Sequence, residues 1–163
     1  MADLDKFRRD AEKAFPTNKA FIKSLKRKKK GDLDKVFQQT HVEVFQQTDC
    51  LDCANCCKTT SPIFYLPDIE RIARALKIKP ATFIEEYLRV DEDQDYVLKG
   101  APCPFLGVDN KCLVYENRPR ACREYPHTDR KRVYQILNLT LKNTLVCPAT
   151  LEIVKRIRSL STA

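Results

Sequence analysis

Glycine is almost missing from this sequence. Gly31, Gly100 and Gly107 are the only three in 163 residues, and they are scattered. Without clustered glycine neither a phosphate-cradling loop nor a dinucleotide-binding turn can be built, which sets aside ordinary nucleotide- and nicotinamide-dependent enzymes. Histidine is as scarce, with His41 and His127 alone, and leaves little for histidine-based acid–base work. No stretch is apolar over the length that spans a bilayer. The opening MADLDKFRRD is charged from its third residue and has no apolar run of the kind an export signal needs. These absences lead us to expect a cytoplasmic chain with no membrane association. There is no internal repeat and no low-complexity tail.

Cysteine is what the sequence has in excess. Four thiols fall within "CLDCANCC", at Cys50, Cys53, Cys56 and Cys57, and four more follow at Cys103, Cys112, Cys122 and Cys147. In a reducing compartment such thiols are ligands or redox groups more readily than a disulfide framework. Geometry argues the same way: a bridge between the neighbours Cys56 and Cys57 closes a strained ring, and other pairings inside the cluster close loops too short to constrain the unfolded chain much. Successive side chains point to opposite faces of a strand and about 100° apart on a helix, so Cys56 and Cys57 do not comfortably serve one centre. Two centres of four thiolates each would use all eight. The partition expected is Cys50, Cys53, Cys56 and Cys147 for one, and Cys57, Cys103, Cys112 and Cys122 for the other.

The formal charge of +8 raises the question of nucleic acid, and Lys26-Arg27-Lys28-Lys29-Lys30 supplies a basic run. Such runs are more often solvated helix ends, and this one is not interleaved with aromatics. Anionic partners are allowed, and nucleic acid is not implied.

The length and the 43% hydrophobic content suit a single domain able to bury its own core. We expect a mainly α fold, small and single-domain, with helices around an irregular Cys-rich region and at most a short β-hairpin. Residues 1–49 carry apolar positions at three- and four-residue intervals and read as a helical buttress. Pro16 is expected to break its first helix from a second, with Thr17 or Asn18 as the cap, and Gly31 with Asp32 to separate the second from a third. Residues 50–148 form the metal-binding region. Within it "LPDIERIARALKIKPATFIEEYL" predicts two helices with prolines near their starts. They are read as a packing hairpin, not a DNA-reading pair, because the second lacks a basic face. The acidic run Asp91 to Asp95 lacks the glycine and terminal glutamate of a calcium loop and reads as solvated. "DYVLKG" predicts a strand and "NRPRACREY" a short helix; 133–146 is ambiguous between helix and strand. Residues 149–163 close the chain as a helix, with Pro148 near its start.

Cys-x2-Cys-x2-Cys followed far downstream by Cys-Pro is how bacterial ferredoxin-type chains wrap a cubane cluster, and Cys50, Cys53 and Cys56 with Cys147-Pro148 reproduce it. Structural zinc more often uses two separated Cys-x2-Cys knuckles, and no second one exists here. The spacing therefore favours iron–sulfur, one or two clusters of the 4Fe-4S type. Zinc stays open, since it accepts nearly any four thiolates. Arg118 and Arg123 flank Cys122 and are candidate cofactor-binding residues, as cations that offset a cluster's negative charge; salt bridging or helix capping is the competing role. His127 is weighed as a partner of a thiolate against an ordinary surface histidine, the reading preferred.

Taken in order, "CLDCANCC", "PCPFL", "CLVYENRPRACREYP" and the final "CP" resemble the bacterial CxxCxxCC cysteine-cluster family (YkgJ-type), whose members are assigned zinc or iron chelation. The resemblance covers roughly Cys50 to Cys147 and implies that all eight cysteines are metal ligands. Here "DNKC" lacks the glycine often found just before that cysteine, which bears on turn geometry and not on ligation. A flagellin lysine N-methylase shares the cysteine motif within a longer chain, so the resemblance permits methyl transfer without establishing it. The function expected is an iron–sulfur metalloprotein serving electron transfer or a maturation or modification reaction, with another protein as redox partner or substrate. The alternative is a zinc-stabilised binding module without catalysis.

Overall fold

The computed structural model describes residues 3–27 and 30–162, the side chains of residues 30, 31 and 162 excepted. The fold is mainly α. It divides into two compact units, Met1–Cys53 with Pro126–Ala163, and Ala54–Tyr125. The divisions therefore fall inside "CLDCANCC" and just after "NRPRACREY", not at the region boundaries 49/50 and 148/149 read from the sequence. Among the described residues no helix is long and apolar enough to cross a membrane.

The first unit is helical. Helix α1 runs from Leu4 to Leu25 without interruption, and Pro16 lies inside it. Interior proline removes one hydrogen bond, crowds the preceding turn and costs about 3 kcal/mol, which is why a break was expected. The buried positions Phe7, Ala11, Asn18, Ile22 and Leu25 continue one stripe through the proline, and Pro16 itself is on the exposed side. Burying a Phe, Leu or Ile returns about 1.5–3 kcal/mol each, so a single stripe outweighs the local defect. Asn18, expected as a cap, is instead buried, its Oδ1 accepting from Arg158 Nη1 at 2.8 Å.

Helix α2 spans Lys30–Phe45, so Gly31 and Asp32 sit in its first turn and do not form the separator. An acidic residue there favours the positive end of the helix dipole. Two short helices, α3 (Cys50–Cys53) and α4 (Asn55–Thr59), hold the cluster. Between them Ala54 adopts φ 47°, in the left-handed region, which costs about 1 kcal/mol for a residue with a Cβ and ends the first turn.

The second unit contains α4, then β1 (Ile63–Phe64), α5 (Leu66–Ala75) and α6 (Pro80–Tyr87). β2 (Leu88–Val90) and β3 (Tyr96–Leu98) pair antiparallel, Arg89 opposite Val97, around the turn Asp91–Asp95. In that turn Asp91 Oδ1 accepts from the N–H groups of Asp93 and Asp95, both at 3.0 Å; the acidic run folds on itself. β1 adds to the other side of β3, Ile63 opposite Val97, so the sheet has three strands where at most a hairpin was expected. A two-residue strand carries no periodicity to read. Phe64, Ile72, Phe83, Leu98 and Phe105 form the unit's core, with Cys103 and Cys112 packed against it. Helix α7 (Arg120–Glu124) follows.

Back in the first unit, the ambiguous segment is helical: a 3-10 turn at Val133–Ile136 leads into α8 (Leu137–Asn143), and α9 (Pro148–Thr162) closes the chain. The core there joins α1, α2, α8 and α9 through Ile22, Leu25, Phe37, Leu137 and Ile153.

Candidate metal centre

The second unit holds five of the eight cysteines, and backbone contacts draw Cys57, Cys103 and Cys112 together. The N–H of Cys103 donates to the carbonyl of Cys57 at 2.8 Å. The chain then leaves Cys103 and returns at Cys112 through a hairpin-like loop. Leu106 bridges to Cys112, Leu113 N–H reaches Phe105 O at 2.8 Å, and Gly107 N–H reaches Lys111 O at 2.8 Å. Space is tight at Gly107: a Cβ would meet Asp109 Oδ1 at 2.8 Å and Lys111 O at 3.2 Å.

The sulfurs sit where backbone N–H groups point. Cys103 faces the N–H groups of Phe105 and Leu106, Cys112 that of Val114, and in the first unit Cys147 those of Ala149 and Thr150. Donors two and three residues onward stabilise charge on a sulfur, so these turns suit thiolates. The thiols of the second unit also feel one another. Burial pushes Cys103 up to about 11 and Cys122 up to about 12, and repulsion from neighbouring thiolates adds to both. Cys112 is raised by burial as well, opposed by the Val114 N–H. Cys57 moves the other way, to about 7, chiefly because the Cys56 thiol donates to it, with Lys58 and Arg118 helping against burial. Cys57 is thus the most readily ionised of the four, and a metal ion held by the set would require all four as thiolates.

Arg118 is the cation in this group. Its charge acts on Cys57, Cys112 and Cys122, its Cζ lies 3.7 Å from the centroid of the Tyr115 ring, and its buried Nε has no hydrogen-bond partner. Arg123 is exposed on α7 and is not among the charges acting on these thiols. Asp68 and Arg71, which the sequence reading passed over, hold the segment. Asp68, with a side chain 4% exposed, accepts from Arg71 Nη2 at 2.6 Å and from the backbone N–H of Arg120 at 3.1 Å. Its other oxygen accepts from Tyr65 N–H at 3.3 Å, and Arg71 donates to the carbonyls of Asn117 and Arg118 at 3.3 and 3.0 Å. Pro67-Asp68 at a helix start is a capping signal visible in sequence; that the same carboxylate would receive residue 120 is not.

The first unit holds Cys50, Cys53 and Cys147. Cys147 is raised by burial, with the Thr150 hydroxyl and two N–H groups opposing and the Cys53 charge adding. Of the partition expected from sequence, Cys57, Cys103, Cys112 and Cys122 are electrostatic neighbours in one unit. Cys53 and Cys147 are neighbours in the other, while Cys56 belongs to the second unit and contacts Cys57. His127 lies in the first unit with φ 65°. None of the eight cysteines is in a disulfide.

Among the described residues no three Cys, His, Asp or Glu side chains are arranged closely enough to grip a metal ion as they stand. Coulombic influence reaches further than ligation, so the two findings agree: the thiols are gathered but not closed into a coordination shell. Rotation of a cysteine between staggered χ1 wells moves its sulfur and leaves the backbone in place. The donor set fits a thiophilic metal, being all sulfur, partly buried and supplied with N–H donors. Four thiolates around a dication leave two negative charges, which Lys58 and Arg118 offset.

A family model, CxxCxxCC, matches residues 49–148, more than half of the chain; its description is a proposed zinc- or iron-chelating domain. The chain belongs to this family, and the matched region contains all eight cysteines. No curated protein and no solved structure matches the chain.

Proposed function

From membership of that zinc- or iron-chelating family, we propose that this protein carries an iron–sulfur centre on Cys57, Cys103, Cys112 and Cys122 and serves electron transfer or a modification reaction on another protein. The observation that carries the reading is the placement of Arg118 among three of the four thiols, with a buried Nε that no protein atom satisfies. Such a centre supplies a one-electron couple when bound. The chain's part is to hold it: N–H groups of Phe105, Leu106 and Val114 stabilise sulfur charge, and Arg118 favours the more negative state and so raises the potential.

A zinc-stabilised module is the second reading. It is favoured by the packing of Cys103 and Cys112 against the aromatic core, where a metal would act as a staple, since a structural zinc adds about 10–16 kcal/mol of apparent binding energy to folding. Anaerobic purification distinguishes the two. The iron–sulfur reading expects brown protein with comparable iron and sulfide and visible absorption that bleaches on reduction, and Arg118→Gln that keeps its metal but has a lower potential. A colourless, folded preparation with stoichiometric zinc, obtained with iron present during expression, rejects it in favour of the module.

A further inference from the structure

The two units differ sharply in charge. Nineteen of the 30 Lys and Arg but eleven of the 22 Asp and Glu lie in the first unit, which thus carries the entire +8, while the cysteine-rich second unit is neutral. The fold gathers part of this excess. Of the basic run Lys26 to Lys30, Lys26 and Arg27, just past the end of α1, are exposed, and Lys28 and Lys29 lie outside the described residues. A second basic run, Arg130-Lys131-Arg132, about 100 residues away in sequence, is brought to the same end of the unit. Asp34, in the first turns of α2, accepts from the N–H groups of Arg132 and Val133 at 2.7 and 2.9 Å. One turn on, Gln38 donates to the carbonyl of Asp129 at 3.2 Å. From the other side Lys26 Nζ donates to Asn138 Oδ1, in α8, at 3.0 Å. Neither run is interleaved with aromatics, but the fold places the second beside the start of the helix that follows the first.

We propose that this end of the helical unit binds the phosphate backbone of duplex nucleic acid, without reading bases. Arg130, Lys131 and Arg132 are exposed. None of them, nor Lys26 or Arg27, takes part in an ion pair among the described residues. Two nearby acids, Asp34 and Asp129, keep their negative charges but pair with none of these cations: the oxygens of Asp34 accept from backbone N–H groups, and Asp129 faces His41. Neither basic run contains an apolar residue. A protein interface would want an apolar centre and little lysine, and a membrane surface would want an apolar face to insert. A patch with a clear excess of cations and no apolar residue in either run instead matches regularly spaced phosphates, where each neutralised charge releases a counterion.

The test is anisotropy of a fluorescein-labelled random-sequence DNA duplex, titrated with the metal-loaded full chain at about 50–200 mM salt. We expect sequence-independent binding whose log affinity falls linearly with log salt, with a slope of about −3 or steeper. Arg130→Gln with Lys131→Gln should flatten the slope by about 2, and Arg27→Gln by about 1. Lys6→Gln with Arg9→Gln removes the same charge about 30 Å along α1, beyond the roughly 8–10 Å screening length, and should leave affinity within about twofold. Absence of duplex binding at the lowest salt overturns the proposal. So does equal weakening by the Lys6/Arg9 pair, which would indicate net charge and not this surface. Binding of phosphatidylserine vesicles or polyglutamate in preference to the duplex overturns it as well. The outcome does not depend on whether iron or zinc is bound.

Discussion

Replacing Asp68 by Asn should loosen metal binding although residue 68 is not a ligand. The carboxylate receives three donors, from Arg71 Nη2, Arg120 N–H and Tyr65 N–H, and an amide of the same shape turns one acceptor into a donor aimed at one of them. Leaving a buried donor unsatisfied costs about 1–3 kcal/mol. Breaking a fully buried ion pair costs about 3–5 kcal/mol, but the Arg71 side chain is 30% exposed, so the lower range applies. We take about 2–3 kcal/mol, falling on the link between the first turn of α5 and residues 117–120.

That link places the Arg118 guanidinium and, two residues past Arg120, Cys122. If it is what orients them, most of the cost appears in the metal-bound state, and affinity should fall about 10- to 100-fold, as for groups that orient metal ligands. Competition against a chromophoric chelator measures this directly, with far-UV circular dichroism to verify the fold. Arg120→Gln is the internal contrast. Only the backbone of Arg120 serves Asp68, while its side chain pairs with Glu124 at 2.6 Å on the surface, where solvent screens such pairs. Its effect on metal affinity should be under about threefold. An Asp68→Asn protein that keeps wild-type affinity, or an Arg120→Gln protein that loses as much, would refute the reasoning.

Two other outcomes follow from particular groups. With Cys57 at about 7 and Cys103, Cys112 and Cys122 raised, metal binding near pH 8 in a Cys53→Ser, Cys147→Ser background should release about three protons. Log affinity should therefore rise by about three per pH unit above 7 and by about four below it, where Cys57 too must deprotonate; release of a single proton, read by calorimetry in buffers of different ionisation enthalpy, would contradict the thiol assignments. Pro16→Ala should stabilise the first unit by about 1–2 kcal/mol, the restored helical hydrogen bond outweighing the entropy returned to the unfolded chain; a lower urea midpoint would show that the proline packs favourably after all.

The elements legible in the sequence were those announced by residues acting on their own backbone. Pro67 and Pro80 opened α5 and α6, Pro148 opened α9, and apolar spacing placed their buried faces. Pro16 misled for the same reason: its local cost was read correctly, but a stripe from Phe7 to Leu25 is a tertiary quantity that no single turn reveals. Strand β1, two residues long and paired across more than thirty positions, offered no period to detect.

The candidate site divides along the same line. Cys56 and Cys57, expected to serve different centres, lie in one unit with their thiols hydrogen-bonded, and the αL residue Ala54 marks where the chain changes unit, between Cys53 and Cys56. Which distal cysteines gather around Cys57 depends instead on closures between distant segments: Cys103 N–H on the Cys57 carbonyl, and Asp68 on residues 117–120. Each contributes only about 1 kcal/mol net, too little to leave a pattern in composition or period, yet each fixes the position of a thiol or of the cation beside it. Their influence exceeds their energy because thiols in partly closed surroundings convert small displacements into large changes in ligand affinity. A segment such as "NRPRACREYP" therefore shows in sequence what it offers, a cation and a thiol, while the residue that aims them, Asp68, lies some fifty positions upstream under the guise of an ordinary helix cap.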